Sequence, residues 1–164
     1  MQDKDQMNPD CIFCKIVAGA LPACKVYEDA HTLAFMDLGP IVKGHTLVIP
    51  KRHYDPLMQT PAAVLHQLIS VVQQVAAAQV RGLNADGVNI IQSNGKAAGQ
   101  VVPHLHFHVI PRFRQDGHSW NWRPQAYADP REMQQLAESI RQAVNNALSS
   151  RNRYKKQENH TVFS

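Results

Sequence analysis

A chain of 164 residues, 44% hydrophobic and 18% charged, is long enough to close one core and gives no reason to seek a second fold. Three cysteines are too few and too oddly counted for a disulfide framework, which points to a reducing compartment, with the cytoplasm as the default. The net charge of +4 includes no basic helix and gathers at Arg151, Arg153, Lys155 and Lys156, which reads as a solvated end, so no nucleic-acid partner is expected.

The opening MQDKDQMNPD is polar and resembles no export signal, and the most apolar later stretch, Val71 to Val80, is broken by Gln73, Gln74 and Gln79. No membrane association is expected. A mildly basic surface suits an anionic, phosphorylated substrate. These features divide the chain into a disordered start over 1–10, one domain over 11–149 and a basic, disordered tail over 150–164.

Taken in order, Cys11-Ile-Phe-Cys14-Lys-Ile-Val-Ala-Gly19 predicts one or two helical turns stopped by the glycine. Its Cys-x-x-Cys has three readings: a redox pair, two buried free thiols, or half of a zinc site whose other ligands lie elsewhere. Residues 25–28 and 32–37 predict two short strands joined by Asp29-Ala30-His31, a hairpin signal. After the Gly39-Pro40 turn, residues 45–50 predict a third strand ended by Pro50. Thr60-Pro61 reads as an N-cap followed by a first-turn proline, and Leu65, Leu68, Val72 and Val75 recur at helical spacing. They predict a helix from Pro61 to Arg81 with Gly82 as its stop.

Residues 88–92 predict a fourth strand, followed by a glycine-bearing loop over 94–99 and a fifth strand over 102–113. Beyond it lies an aromatic stretch with Trp120, Trp122 and Tyr127. Asp129-Pro130-Arg131-Glu132 then forms a capping box opening a helix with the stripe Met133, Leu136, Ile140, Val144 and Leu148. The expected fold is α+β: a mainly antiparallel five-stranded sheet, one long helix between strands and a C-terminal helix.

The fifth strand carries the most pointed signal. In His104-Leu105-His106-Phe107-His108-Val109-Ile110, imidazoles alternate with apolar residues, so a strand would put the histidines on one face and the core on the other. Neighbouring histidines would stand roughly 6.5 to 7 Å apart at Cα and the outer two roughly 13 Å apart, too far for all three to share one ion easily. Divided roles are expected of them.

This motif resembles the signature of the histidine triad (HIT) proteins. Further matches come from Cys11-x-x-Cys14, from Phe35 to Leu38 with Gly44 to Lys51 and His53, and from Asn94 through Gly99-Gln100 to Arg112. The resemblance implies a hydrolase or nucleotidyl transferase acting on the α-phosphate of nucleoside 5'-phosphate derivatives. Phosphoramidates, adenylated amines and dinucleoside polyphosphates are the candidate substrates. It implies His106 as the nucleophile that becomes a nucleotidyl-imidazole, with His108 and His45 facing the phosphate. Asp37 matches the ribose-binding acid, Phe35 and Leu38 flank the base, and Asn94 and Gln100 are polar contacts near the phosphates. In the family's zinc-bearing, bacterial-type branch, Cys11, Cys14, His53 and His104 would form a closed structural Cys2His2 site, with no catalytic metal. A homodimer is implied as well. A partner-binding nucleotide module with little turnover is the alternative. At Val101 the chain departs from the Ser or Thr common in the family, so a side-chain donor is missing on the leaving-group side.

Overall fold

The computed structural model describes residues 7–119 and 124–161, with 148–161 by their backbone alone. Trp120, Trp122 and the Leu148 side chain lie outside the described residues. Two compact units divide the chain, Met1–Ser119 and Trp120–Ser164.

The first unit is built on a five-stranded sheet. Its strands are β1 (Lys25–Glu28), β2 (Thr32–Met36), β3 (Thr46–Pro50), β4 (Gly87–Ile91) and β5 (Phe107–Arg112), ordered β1-β2-β3-β5-β4 with every neighbour antiparallel. The β1–β2 hairpin closes because the Asp29 carboxylate accepts from the backbone of His31 and Thr32, each at 2.7 Å. Helix α1 (Ile12–Val17) covers one face of the sheet and α2 (Ala62–Leu83) the other.

Alternation along the strands feeds two cores. Leu33, Phe35, Leu47 and Ile49 pack with Phe13, Ile16 and the two α1-end cysteines, while Ala34, Val48, Leu105 and Val109 meet Leu68, Val71, Val72 and Val75 of α2. Helix α2 is long and apolar enough to cross a bilayer, but its apolar stripe is the one facing the sheet. Gln79, which looked like a polar interruption, is buried. Its Nε2 donates to the carbonyls of Gly44 and Val109, both at 3.0 Å, tying α2 to β5 and to the turn before β3.

Several boundaries differ from expectation. Thr60 does not cap α2; its hydroxyl donates to the Pro56 carbonyl, and Pro61 stands at the N-cap. The helix runs through Gly82 to Leu83 and stops at Asn84, which takes the left-handed turn at φ 53°. Asn tolerates that conformation at little cost, so glycine is not required.

The larger difference is in β5, which begins at Phe107 rather than Val102. Register places Val48 opposite Phe107, and β3 ends two residues later in Pro50, a residue without an N–H for the ladder. The chain therefore finds other partners: Leu105 N–H donates to the Tyr54 carbonyl at 2.6 Å, and the Pro50 carbonyl lies 2.9 Å from the His104 ring.

At the N-terminus, Met7 packs against the first core and the Asn8 carbonyl accepts the Cys11 N–H at 3.1 Å. In the second unit, α3 (Pro130–Thr161) opens on the expected capping box: Asp129 accepts from Arg131 and Glu132, and Glu132 accepts from Ala128. It extends past residue 149 to Thr161. Its stripe of Met133, Leu136, Ile140 and Val144 remains exposed.

Candidate functional site

The segment before β5 keeps the alternation without being strand. Leu105 points into the α2 core, and His104 and His106 point to the opposite side. There they meet α1, whose Phe13 ring stands edge-on to His104 at 5.8 Å, His106 at 5.3 Å and Phe35 at 5.6 Å.

The first cluster gathers at the end of α1. Cys11 caps the helix and Cys14 lies one turn on, so both sulfurs share a face. Cys11 Sγ lies 3.4 Å from His104 Nδ1, and Cys14 Sγ lies 3.6 Å from that nitrogen and 3.4 Å from His53 Nδ1. All four donor atoms fall within 4.8 Å of one another. Tetrahedral zinc sets sulfur and nitrogen donors roughly 3.6 Å apart, so this spacing fits one ion without rearrangement. Protonation fits too. The Pro50 carbonyl claims the Nε2–H of His104, which leaves its Nδ1 lone pair facing the sulfurs. Burial pushes the Cys14 thiol up to about 11, and a bound cation is what would hold such a thiol as thiolate. These residues could hold a metal.

The second cluster lines a cleft of about 320 Å3. Phe13, Phe35, Leu47 and Val102 give it apolar walls, Asp37 stands at one edge, and His106 and His108 supply the imidazoles. His106 Nδ1 lies 2.6 Å from the His104 carbonyl. A carbonyl only accepts, so the ring proton must sit on Nδ1 and the lone pair on Nε2. The His106 and His108 rings are 4.9 Å apart at 74°. Behind them His45 Nε2 lies 2.8 Å from His108 Nδ1, and Asp37 Oδ2 lies 3.5 Å from His45 Nδ1.

Burial holds His108 down to about 4, with the neighbouring His106 and His45 adding to the effect, and burial lowers His45 as well despite the Asp37 carboxylate. Both rings are neutral near pH 7, so Asp37 and His45 do not form an ion pair there. In the unfolded chain the His108 ring gains its proton near 6.5 and in the folded chain only near 4, so its burial costs stability progressively as pH falls through that window. Ring 15N shifts should show His108 neutral at pH 5.5, and a midpoint near 6.5 would contradict it.

Of the residues singled out from sequence, Phe35, Asp37, Leu38, Val101, His106 and His108 line the cleft, Leu38 and Val101 at 95% and 90% exposure. His45 lies one ring behind. Asn94 and Gln100 are not among the lining residues. Asn94 Oδ1 accepts from Leu57 N–H at 2.9 Å. Gln100 Oε1 accepts from Gly95 N–H, and its Nε2 donates to Asp55 at 2.8 Å and the Val102 carbonyl at 3.1 Å. Both amides are occupied in shaping the loop. Sequence reasoning missed Phe13, although its place between the two cysteines, on the side that meets the triad, was the available signal.

The fold and this pair of clusters define a known class. Residues 18–115 match the family model of the HIT domain, and the chain belongs to the HIT family. The chain is 38% identical to adenosine 5'-monophosphoramidase of Schizosaccharomyces pombe over 131 residues, 79% of this chain and 95% of that protein. A HIT family protein from Bacillus subtilis superposes with a TM-score of 0.75 at 41% identity, covering 81% of this chain and 96% of that one. A zinc-bound histidine triad family protein from Mycobacterium smegmatis gives a TM-score of 0.65 at 40% identity, covering 84% and 97%.

Proposed function

We propose that this chain hydrolyses or transfers the nucleotidyl group of nucleoside 5'-phosphate derivatives, with phosphoramidates and adenylated amines as the first substrates to test. The observation that carries the reading is the 2.6 Å contact of His106 Nδ1 with the His104 carbonyl, which leaves a bare Nε2 in a cleft offering apolar walls and one carboxylate. That nitrogen attacks the α-phosphorus, the P–N bond to the leaving amine breaks, and the departing nitrogen takes a proton from solvent. Water then displaces His106, releasing the nucleoside monophosphate and a proton. His108 donates to a nonbridging oxygen, with His45 behind it. Asp37 accepts from the ribose hydroxyls, and Phe35 and Leu38 hold the base.

Cys11, Cys14, His53 and His104 hold a structural zinc in this reading, a role favoured by four protein donors with no open position. It also places the protein in the cytoplasm as a homodimer. The sheet edge at β4, where Ile90 is 48% exposed, is a surface a second copy could extend. Intact-protein mass spectrometry during turnover of an adenosine phosphoramidate tests the chemistry: a nucleotidyl adduct on His106 is expected, and turnover with the adduct on another residue would overturn the assignment.

Val101 sets a further expectation. Gln100 cannot stand in for the missing hydroxyl, because its amide is already bonded on both sides. At 90% exposure Val101 contributes little to the core, so Val101→Ser should leave the melting temperature almost unchanged. Restoring a donor beside the phosphate should raise phosphoramidate turnover by up to roughly 10²-fold. A stable variant with unchanged kcat would show that this position does not limit the reaction.

A further inference from the structure

His45 Nδ1 stands between two groups with opposite demands. Ile41 N–H, 3.3 Å away, needs a bare nitrogen to donate to. Asp37 Oδ2, 3.5 Å away, needs a proton to accept. The amide meets the nitrogen in hydrogen-bond geometry and the carboxylate lies at ion-pair distance, but a charged acceptor holds a proton more strongly than a neutral amide does, so the two contacts compete for the tautomer.

The choice does not stay on His45. Its other nitrogen, Nε2, lies 2.8 Å from His108 Nδ1, a distance that requires one proton between two neutral rings. If Ile41 prevails, His45 carries its proton on Nε2 and donates to His108 Nδ1, so the His108 proton is on Nε2. If Asp37 prevails, His45 is protonated on Nδ1 and accepts from His108 Nδ1, so His108 Nε2 is bare. The two arrangements hold the same number of protons and interconvert by exchange with water. They differ in whether the far nitrogen of His108 is a donor or an acceptor.

Asp37 is also where this chain meets the cleft. One carboxylate oxygen already accepts Gly39 N–H at 2.8 Å, the side chain is 22% exposed, and it is part of the cleft lining. We propose that Asp37 is a positioning residue that couples recognition of the sugar diol to the tautomer of His108: hydroxyls that donate to the Asp37 carboxylate weaken its hold on His45 Nδ1. That releases His45 to Ile41 and turns His108 Nε2 into the donor. The inference rests on the ribose and phosphate roles given above.

Ring 15N spectra of the full-length protein with its metal test it directly, using adenosine and 2',3'-dideoxyadenosine, which bring no phosphate oxygen to His108, both at saturation. The ribonucleoside should shift His108 to the Nε2–H form, and the dideoxynucleoside should not. With the matching phosphoramidates, the dideoxy sugar should slow adduct formation at saturation by roughly tenfold, and in Asp37→Asn the two sugars should give equal saturating rates. Identical His108 tautomers with both nucleosides would overturn the coupling, as would a sugar effect on half-saturation alone in the wild type. An adduct that forms on another residue, or never forms with either sugar, would instead remove the nucleotidyl-transfer reading beneath it.

Discussion

His106→Ala is expected to abolish the covalent nucleotidyl adduct and lower turnover by roughly 10³-fold or more, while nucleotide affinity changes little. The separation follows from the cleft. Phe35, Leu47 and Asp37 line it as well, so base and sugar contacts survive its removal. The ring is 5% exposed and lies against the edge of Phe13, so alanine also leaves a void. His106→Asn guards against that, since its amide can still donate to the His104 carbonyl but has no imidazole lone pair to offer phosphorus. Either variant, folded and still turning over at a wild-type rate, would remove His106 from the chemistry.

Cys14→Ala is expected to cost the bound metal and to lower the melting temperature by on the order of 10 °C. Wild-type protein purified without added metal should carry about one zinc per chain. Cys14 is 2% exposed and faces both His53 and His104, so its loss unties α1 from two other parts of the chain at once. A packing defect alone would lower stability too, and a chelator separates the causes. It should destabilise the wild type towards the variant and leave the variant unmoved. Wild-type protein free of metal and indifferent to chelation would reject the site. Ile12, Phe13 and Ile16 of the same helix line the cleft, so nucleotide affinity should weaken along with stability.

How much was legible beforehand depends on the range of the interaction that decides each feature. The sheet could be read because short apolar runs such as Thr32–Met36 and Thr46–Pro50, bounded by turn residues and proline, are local signals, and the structure divides their side chains between two cores. The triad's two-sidedness was legible for the same reason. Where β5 starts was not, because that depends on Pro50 and Tyr54, far away in sequence. Gln79 was misleading in the same way: a polar residue on a helix reads as solvent-facing until the carbonyls of Gly44 and Val109 are brought to it by the fold. Asn94 and Gln100 could be placed in the right loop, but not aimed, since their amides answer to Leu57, Gly95 and Asp55.

Gly44, one residue before His45, adopts φ 102°, and a Cβ placed there would fall 2.7 Å from Leu83 Cδ1 and 2.8 Å from Pro111 Cγ. The last turn of α2 and the proline of β5 thus close on the same bare backbone, beneath the histidine that backs His108. Leu83 meets that position with the free end of a half-exposed side chain and can turn aside, whereas the Pro111 ring is buried and rigid, so positions 44 and 111 form a steric lock. Reshaping this site by directed evolution would accordingly stall on single changes at Gly44, whose backbone conformation itself favours glycine, until position 111 gives way with it.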